Sequence, residues 1–205
     1  EFTREEAVRS FSFWVFCGIF ALQSVFVTAY VFHVLDLAKE LGMTPQGILK
    51  LFLPGAIIGG LLSVAIGWLS DHFRLKYFAA FMACGTGLSS FALMTQIDGL
   101  MIPLMIAGMS ITSGSFGPLT GAFVPRYFGI KRIGAISGVM MSTMVIASAT
   151  GPLLFSIARD VTGSYRNAFG GTFVVAILLV IASFWANNPQ RKIKKQMDAE
   201  NEGSS

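Results

Sequence analysis

Charge is scarce in this 205-residue chain: Lys, Arg, Asp and Glu make up 13% of it, about half the share in an ordinary soluble domain. So few ionised groups cannot clothe a soluble surface. Cysteine and histidine are nearly missing, with Cys17, Cys84, His33 and His72 the only ones in the sequence. Both cysteines fall inside apolar runs, which argues against a disulfide framework, and four scattered side chains give no metal-binding spacing. No Gly-x-x-x-x-Gly-Lys segment occurs, so direct ATP coupling through a phosphate loop is not expected. No Gly-x-Ser-Gly sets a serine against either histidine, as an intramembrane serine protease would require. No catalytic residue, metal site or cofactor is therefore assigned. The formal charge of +4 is spread over the ends of apolar segments and forms no single patch for nucleic acid.

What is abundant is apolar length. Hydrophobic residues make up 54% of the chain. They fall into six runs at about 11–35, 48–69, 77–95, 100–124, 133–158 and 168–186, each near the roughly 20 residues that an α-helix needs to cross a bilayer. Barrel strands would be alternating segments of about ten residues, so the helical reading stands. The expected fold is an all-α membrane protein with six transmembrane helices, a short lead at 1–10 and a polar tail at 187–205. Arg4, Arg9, Arg74, Lys76, Arg126, Lys131, Arg132, Arg191, Lys192, Lys194 and Lys195 fall on the side of the N-terminus. Only Lys39, Lys50, Arg159 and Arg166 fall on the other, which places both termini in the cytoplasm. An integral plasma membrane protein, bacterial inner membrane included, is the expected location.

Within the spans, polar and small residues mark faces. Gln23, Tyr30 and His33 share one side of the first helix. That side either lines a cavity or makes hydrogen bonds to neighbouring helices, and His33 is near enough to the span end to meet water. Gly55, Gly59, Ser63 and Gly67 recur every four residues in the second span, a seam that lets another backbone approach closely. The fourth span concentrates Ser110, Thr112, Ser113, Gly114, Ser115, Gly117 and Pro118, and such density in mid-membrane reads as cavity-lining. The fifth aligns Ser137, Met141, Met144 and Ser148, with a kink expected near Pro152. The sixth has almost no polar residue after Thr172 and should face lipid. No Lys, Arg, Asp or Glu lies deep in any span, so no intramembrane charge marks a substrate or proton site.

The charged hairpin Gly67-Trp68-Leu69-Ser70-Asp71-His72-Phe73-Arg74-Leu75-Lys76 resembles the loop signature of the major facilitator superfamily, Gly-x-Leu-x-Asp followed by basic residues. Pro125 to Gly129, Gly134 to Gly138, and Gly151-Pro152 through Arg166 further resemble the branch of oxalate/formate antiporters and monocarboxylate transporters. The likeness spans Thr3 to Gln190 and fits the C-terminal six-helix half of such a transporter, built as two inverted three-helix repeats. It implies alternating-access transport of a small solute, such as a monocarboxylate, coupled to an ion or counter-substrate. It also implies an N-terminal six-helix half as partner within the bilayer, which the glycine seam should contact. By analogy the first, second, fourth and fifth spans line the path, with Gln23, Tyr30, His33, Ser110, Ser113 and Ser148 as its wall, and the third and sixth face lipid. Gly67 and Asp71 carry over as gating residues; Arg74 and Lys76 are either their latch partners or plain topology determinants. The usual Asp-Arg-x-Gly-Arg pattern is replaced here by Asp71-His72-Phe73-Arg74-Leu75. The alternative is a self-contained six-helix homodimeric channel or assembly subunit that uses the same seam to meet its copy.

Overall fold

A computed structural model describes residues 2–190. Among them the chain is helical throughout, with α1 (Arg4–Val8), α2 (Phe11–Phe32), α3 (Val34–Glu40), α4 (Pro45–Lys50), α5 (Phe52–His72), α6 (Leu75–Thr95), α7 (Met101–Phe128), α8 (Ile133–Thr162) and α9 (Arg166–Trp185). Six segments are long and apolar enough to span a membrane: α2, α4 with α5, and α6 to α9. The first apolar run is longer than its helix because the backbone breaks at His33, which leaves the α-region before α3 resumes. Thr44 caps α4 by accepting the Gly47 N–H at 3.0 Å, and Pro45 occupies the first turn, where its missing N–H costs nothing. The connection from α6 to α7 turns on Gln96 and Gly99, both at positive φ.

Packing follows an inverted repeat. Exchanging α2 with α7, α5 with α8 and α6 with α9 maps the packed pair α2·α8 onto α7·α5 and α6·α7 onto α9·α2, and returns α6·α9 to itself. Small residues set these contacts. Gly85 of α6 and Gly108 of α7 face each other, and a Cβ at Gly85 would lie 2.9 Å from the Gly108 carbonyl. Ser89 donates to the Met105 carbonyl at 3.1 Å and Thr172 of α9 to Ser90 of α6 at 2.9 Å. Aromatic rings fill the space between α2 and α7, with Phe16 stacked on Phe123 at 4.1 Å and Phe20 edge-on to Phe116 and Phe123.

One sequence expectation changes. The third span, α6, is not peripheral: it is packed on α7, α9 and α2 and leaves only an edge at Tyr77, Phe81 and Cys84 exposed. Its run of Ala, Gly and Ser residues allows neighbours on three sides. The seam is covered by α7 along Gly55, Gly59 and Ser63. A Cβ at Gly59 would lie 2.5 Å from Ser113 Oγ, and one at Gly114 would lie 2.7 Å from the Gly59 carbonyl and 3.3 Å from the Ser63 nitrogen. Gly55 faces Ser110, whereas Gly67 has nothing within 4 Å. The polar tail lies outside the described residues from 191 on, including Arg191, Lys192, Lys194 and Lys195. Its first residues are fastened: Asn187 and Asn188 bond to Ser12, Lys76 and Arg126.

Candidate transport path

At the end of the bundle away from the N-terminus, α2 and α8 are joined through a defect in α8. Pro152 has no N–H, so the Ser148 carbonyl four residues earlier loses its helical donor. Thr28 of α2 brings a hydroxyl to it, with Oγ1 3.0 Å from that carbonyl and its one proton shared with the Ser24 carbonyl of its own helix at 2.6 Å. The helices are close enough here that a Cβ at Gly151 would lie 2.6 Å from the Val25 carbonyl. His33 continues the junction, with Nε2 at 3.0 Å from the Pro152 carbonyl and Nδ1 at 3.0 Å from the Tyr165 hydroxyl. One tautomer satisfies both: Nε2–H donates to the carbonyl while Nδ1 accepts the phenol proton. Glu40 accepts from the Ser164 hydroxyl and the Tyr165 N–H. Asp36 pairs with Lys39 at 3.0 Å and Arg159 at 3.5 Å. The Lys39 hydrogen bond holds the Asp36 carboxyl below its ordinary range, with Arg159 adding to it, so this tie persists at neutral pH and is lost only as pH falls through the lowered value.

In mid-membrane most hydroxyls are already occupied. Ser110 is buried and donates to the Ile106 carbonyl at 2.7 Å, and it reaches the Gly55 carbonyl at 3.3 Å. Thr112 and Ser115 are likewise buried and bond back to the Gly108 and Ile111 carbonyls. These residues pack helices, so the density of hydroxyls on α7 is a seam on most of its sides and a wall on one. That wall is the exposed line Ser113, Gly117 and Gly121. Tyr30 is enclosed, its hydroxyl 3.8 Å from Met105 Sδ and its ring beside Phe26 and Phe52. Gln23 differs from all of them. It is 6% exposed, and its Oε1 is buried with no hydrogen-bond partner among the described residues.

At the end of the bundle that carries the N-terminus, Asp71 pairs with Arg126, whose guanidinium also donates to the Ser70 carbonyl. The sequence-based latch partners do other work. Lys76 reaches across to the end of α9, donating to the Phe184 carbonyl and to Asn187 Oδ1, both at 2.8 Å. Arg74 is exposed at the N-cap of α6. Arg126 ends α7 after a proline, and only the fold brings it beside Asp71, 55 residues away in sequence. Arg126→Gln should lower the melting temperature more than Asp71→Asn, because it also releases the Ser70 carbonyl. With the pair half-exposed, Asp71→Asn should cost about 1 kcal/mol or less. Thermal unfolding in mild detergent reads this, and equal losses would show that the carbonyl contact contributes nothing.

The six candidates are therefore not one constellation: His33 and Ser148 belong to the α2·α8 junction, Ser110 to the α5·α7 seam, Tyr30 to the core, Ser113 to the exposed edge of that seam with its hydroxyl donating to the Ser110 carbonyl at 3.3 Å, and Gln23 alone keeps an unmet side-chain oxygen among the described residues. Thr28 and Tyr165 escaped the sequence reading, although the proline four residues after Ser148 was a legible sign that a donor was needed there.

Comparison with known proteins fits this architecture. The family model of the Major Facilitator Superfamily matches residues 10–204. Monocarboxylate transporter 11 of Mus musculus is 26% identical over 165 residues, covering 74% of this chain and 37% of that protein. Its Homo sapiens counterpart is also 26% identical over 165 residues, with 74% and 35% covered. The chain thus spans little more than a third of the length of these relatives. With six packed spans in an inverted arrangement and a family match along nearly its whole length, the chain belongs to the Major Facilitator Superfamily.

Proposed function

We propose that this chain forms the C-terminal six-helix half of a secondary transporter that moves a small organic anion, such as a monocarboxylate, by alternating access. The observation that carries this reading is the contrast between two exposed surfaces. The outer face of α9 shows Val174, Val175, Ile177, Leu178 and Ile181, a surface suited to lipid. The exposed sides of α5, α7 and α8 carry Gly60, Ser113, Gly117, Gly121, Gly138, Ser142 and Thr150, set among large apolar side chains such as Leu61, Val64, Val145 and Ile146. Those glycines have nothing within 4 Å. Such a surface at membrane depth is poorly matched to lipid and well matched to a second helical unit and a wet path. The substrate class follows from the names of the relatives. With no charge deep in the spans, the anion would be held by carboxamide, hydroxyl and helix-end donors here and by the other half. A coupling ion or counter-substrate supplies the driving force, and the inner end, with both termini, lies in the cytoplasm of a plasma or bacterial inner membrane. Opening there would separate Asp71 from Arg126.

The test is co-expression with the N-terminal half followed by uptake of a labelled monocarboxylate into proteoliposomes. Assembly of the halves with saturable uptake is expected, and Gly60→Leu should reduce their co-purification while leaving this half folded. A chain that instead forms a stable dimer of itself and ignores the N-terminal half would overturn the reading in favour of a homodimeric channel.

A further inference from the structure

The inner face contains a buried cation with no counter-charge. Lys76 is 9% exposed, and the partners of its ammonium, the Phe184 carbonyl, Asn187 Oδ1 and the face of the Tyr77 ring at 5.6 Å, are all neutral. Among the described residues no carboxylate pairs with it. Neutral dipoles offset only part of the desolvation of an ammonium, so the position favours an anion. Lys76 lines a cavity of about 770 Å³ together with Arg74, Arg126, Asp71, His72 and Asn188. The charges in that cavity do not cancel. Asp71 is taken by Arg126, while the Arg74 side chain makes no hydrogen bond or ion pair among the described residues. Two positive charges are left over. Helix α6 begins at this cavity with no side-chain cap, so the positive end of its dipole adds to the same field.

The setting indicates which anion. Trp68, Phe73, Tyr77, Phe184 and Trp185 are all exposed around this end of α5, α6 and α9, and exposed aromatic side chains at span ends mark the depth of lipid headgroups. Phe73 and Tyr77 are also part of the cavity wall, so its mouth is at that depth. Below it, the exposed apolar edges Phe81 and Ile181 offer a surface for acyl chains. We propose that this cavity binds the phosphate of an anionic phospholipid headgroup, with Lys76 and Arg74 as the direct partners. Asn188 also lines the cavity, its amide donating to the Arg126 carbonyl at 2.7 Å. The assignment does not depend on what the protein transports, so a failed transport assay leaves it standing and its own failure leaves the transport reading standing.

The test is equilibrium binding of fluorescent phosphatidylglycerol to the full chain in mild detergent. Competitors are unlabelled phosphatidylglycerol, phosphatidylcholine and inorganic phosphate. Unlabelled phosphatidylglycerol should displace the probe, and the other two should not at the same concentration. Arg74→Gln should weaken binding about fivefold and the double variant with Lys76→Gln about thirtyfold, as two basic side chains acting at a membrane surface would. Lys50→Gln, on the opposite face, should leave binding unchanged. Arg74 is exposed, so its substitution keeps the test valid even where the Lys76 variant fails to fold. Equal competition by phosphatidylcholine, or unchanged binding by Arg74→Gln, would overturn the proposal. Displacement by inorganic phosphate as strong as by the lipid would overturn the lipid assignment in favour of a soluble anion.

Discussion

Gly108→Leu is expected to prevent the six-helix bundle from forming, while Gly60→Leu leaves its melting temperature unchanged. The difference lies in what a side chain would meet. A Cβ at Gly108 would stand 2.5 Å from the Gly85 carbonyl oxygen and 2.6 Å from the Ser89 nitrogen, all backbone of α6. A rotamer change cannot relieve such an overlap, so the helices must separate. Separation would break the Ser89 bond to the Met105 carbonyl and open the axis on which α6, α7 and α9 are assembled. Overpacking a tight core costs roughly 1–3 kcal/mol where side chains can adjust. Here they cannot, and a loss beyond that range approaches the whole stability of a typical domain. Gly60 has nothing within 4 Å and tolerates a leucine within this half. Size-exclusion profiles and thermal melts in mild detergent separate the cases: a monodisperse Gly108→Leu protein that melts like the parent would refute the α6·α7 packing.

The same reasoning grades the α5·α7 seam. At Gly59 the nearest atom is the Ser113 hydroxyl, which can rotate away, so Gly59→Ala is mild; at Gly114 it is the Gly59 carbonyl, which cannot, so Gly114→Ala is the more damaging change. That Gly59 and Gly114 each belong to a small-residue stretch was legible in the sequence. That they face each other was not, because a four-residue period identifies a face and carries no information about what covers it. For the same reason the period of the seam could not name α7, which carries the complementary glycine, as the helix that covers it. The six spans were legible because bilayer thickness converts directly into run length. The inner ion pair was legible only on one side: Asp71 stands in a recognisable loop, whereas Arg126 comes from another hairpin. The outer junction hangs on His33, whose two ring nitrogens serve elements more than 100 residues further along the chain.

Gln23→Leu is expected to raise the stability of the bundle and to abolish transport by the assembled protein. The two effects share one cause. The carbonyl oxygen of Gln23 is buried without a donor, and an unmet buried acceptor costs about 1–3 kcal/mol. Leucine occupies a similar volume and leaves nothing unsatisfied, so the melting temperature should rise. Around Gln23 on α2, Phe16, Phe20 and Tyr30 are all paired with rings or sulfur on neighbouring helices. A carboxamide kept at this depth against its own folding cost is explained if the transported solute, or the water that accompanies it, bonds to it in part of the cycle. Gln23→Glu separates charge from hydrogen bonding: it keeps acceptors at the site but sets a negative charge against the organic anion we propose as substrate, so uptake should fall while binding of the proposed N-terminal half is retained. The paired readout is decisive. If Gln23→Leu melts lower than the parent, the oxygen has a structural partner in the folded protein; if it melts higher and still transports, Gln23 lies off the path.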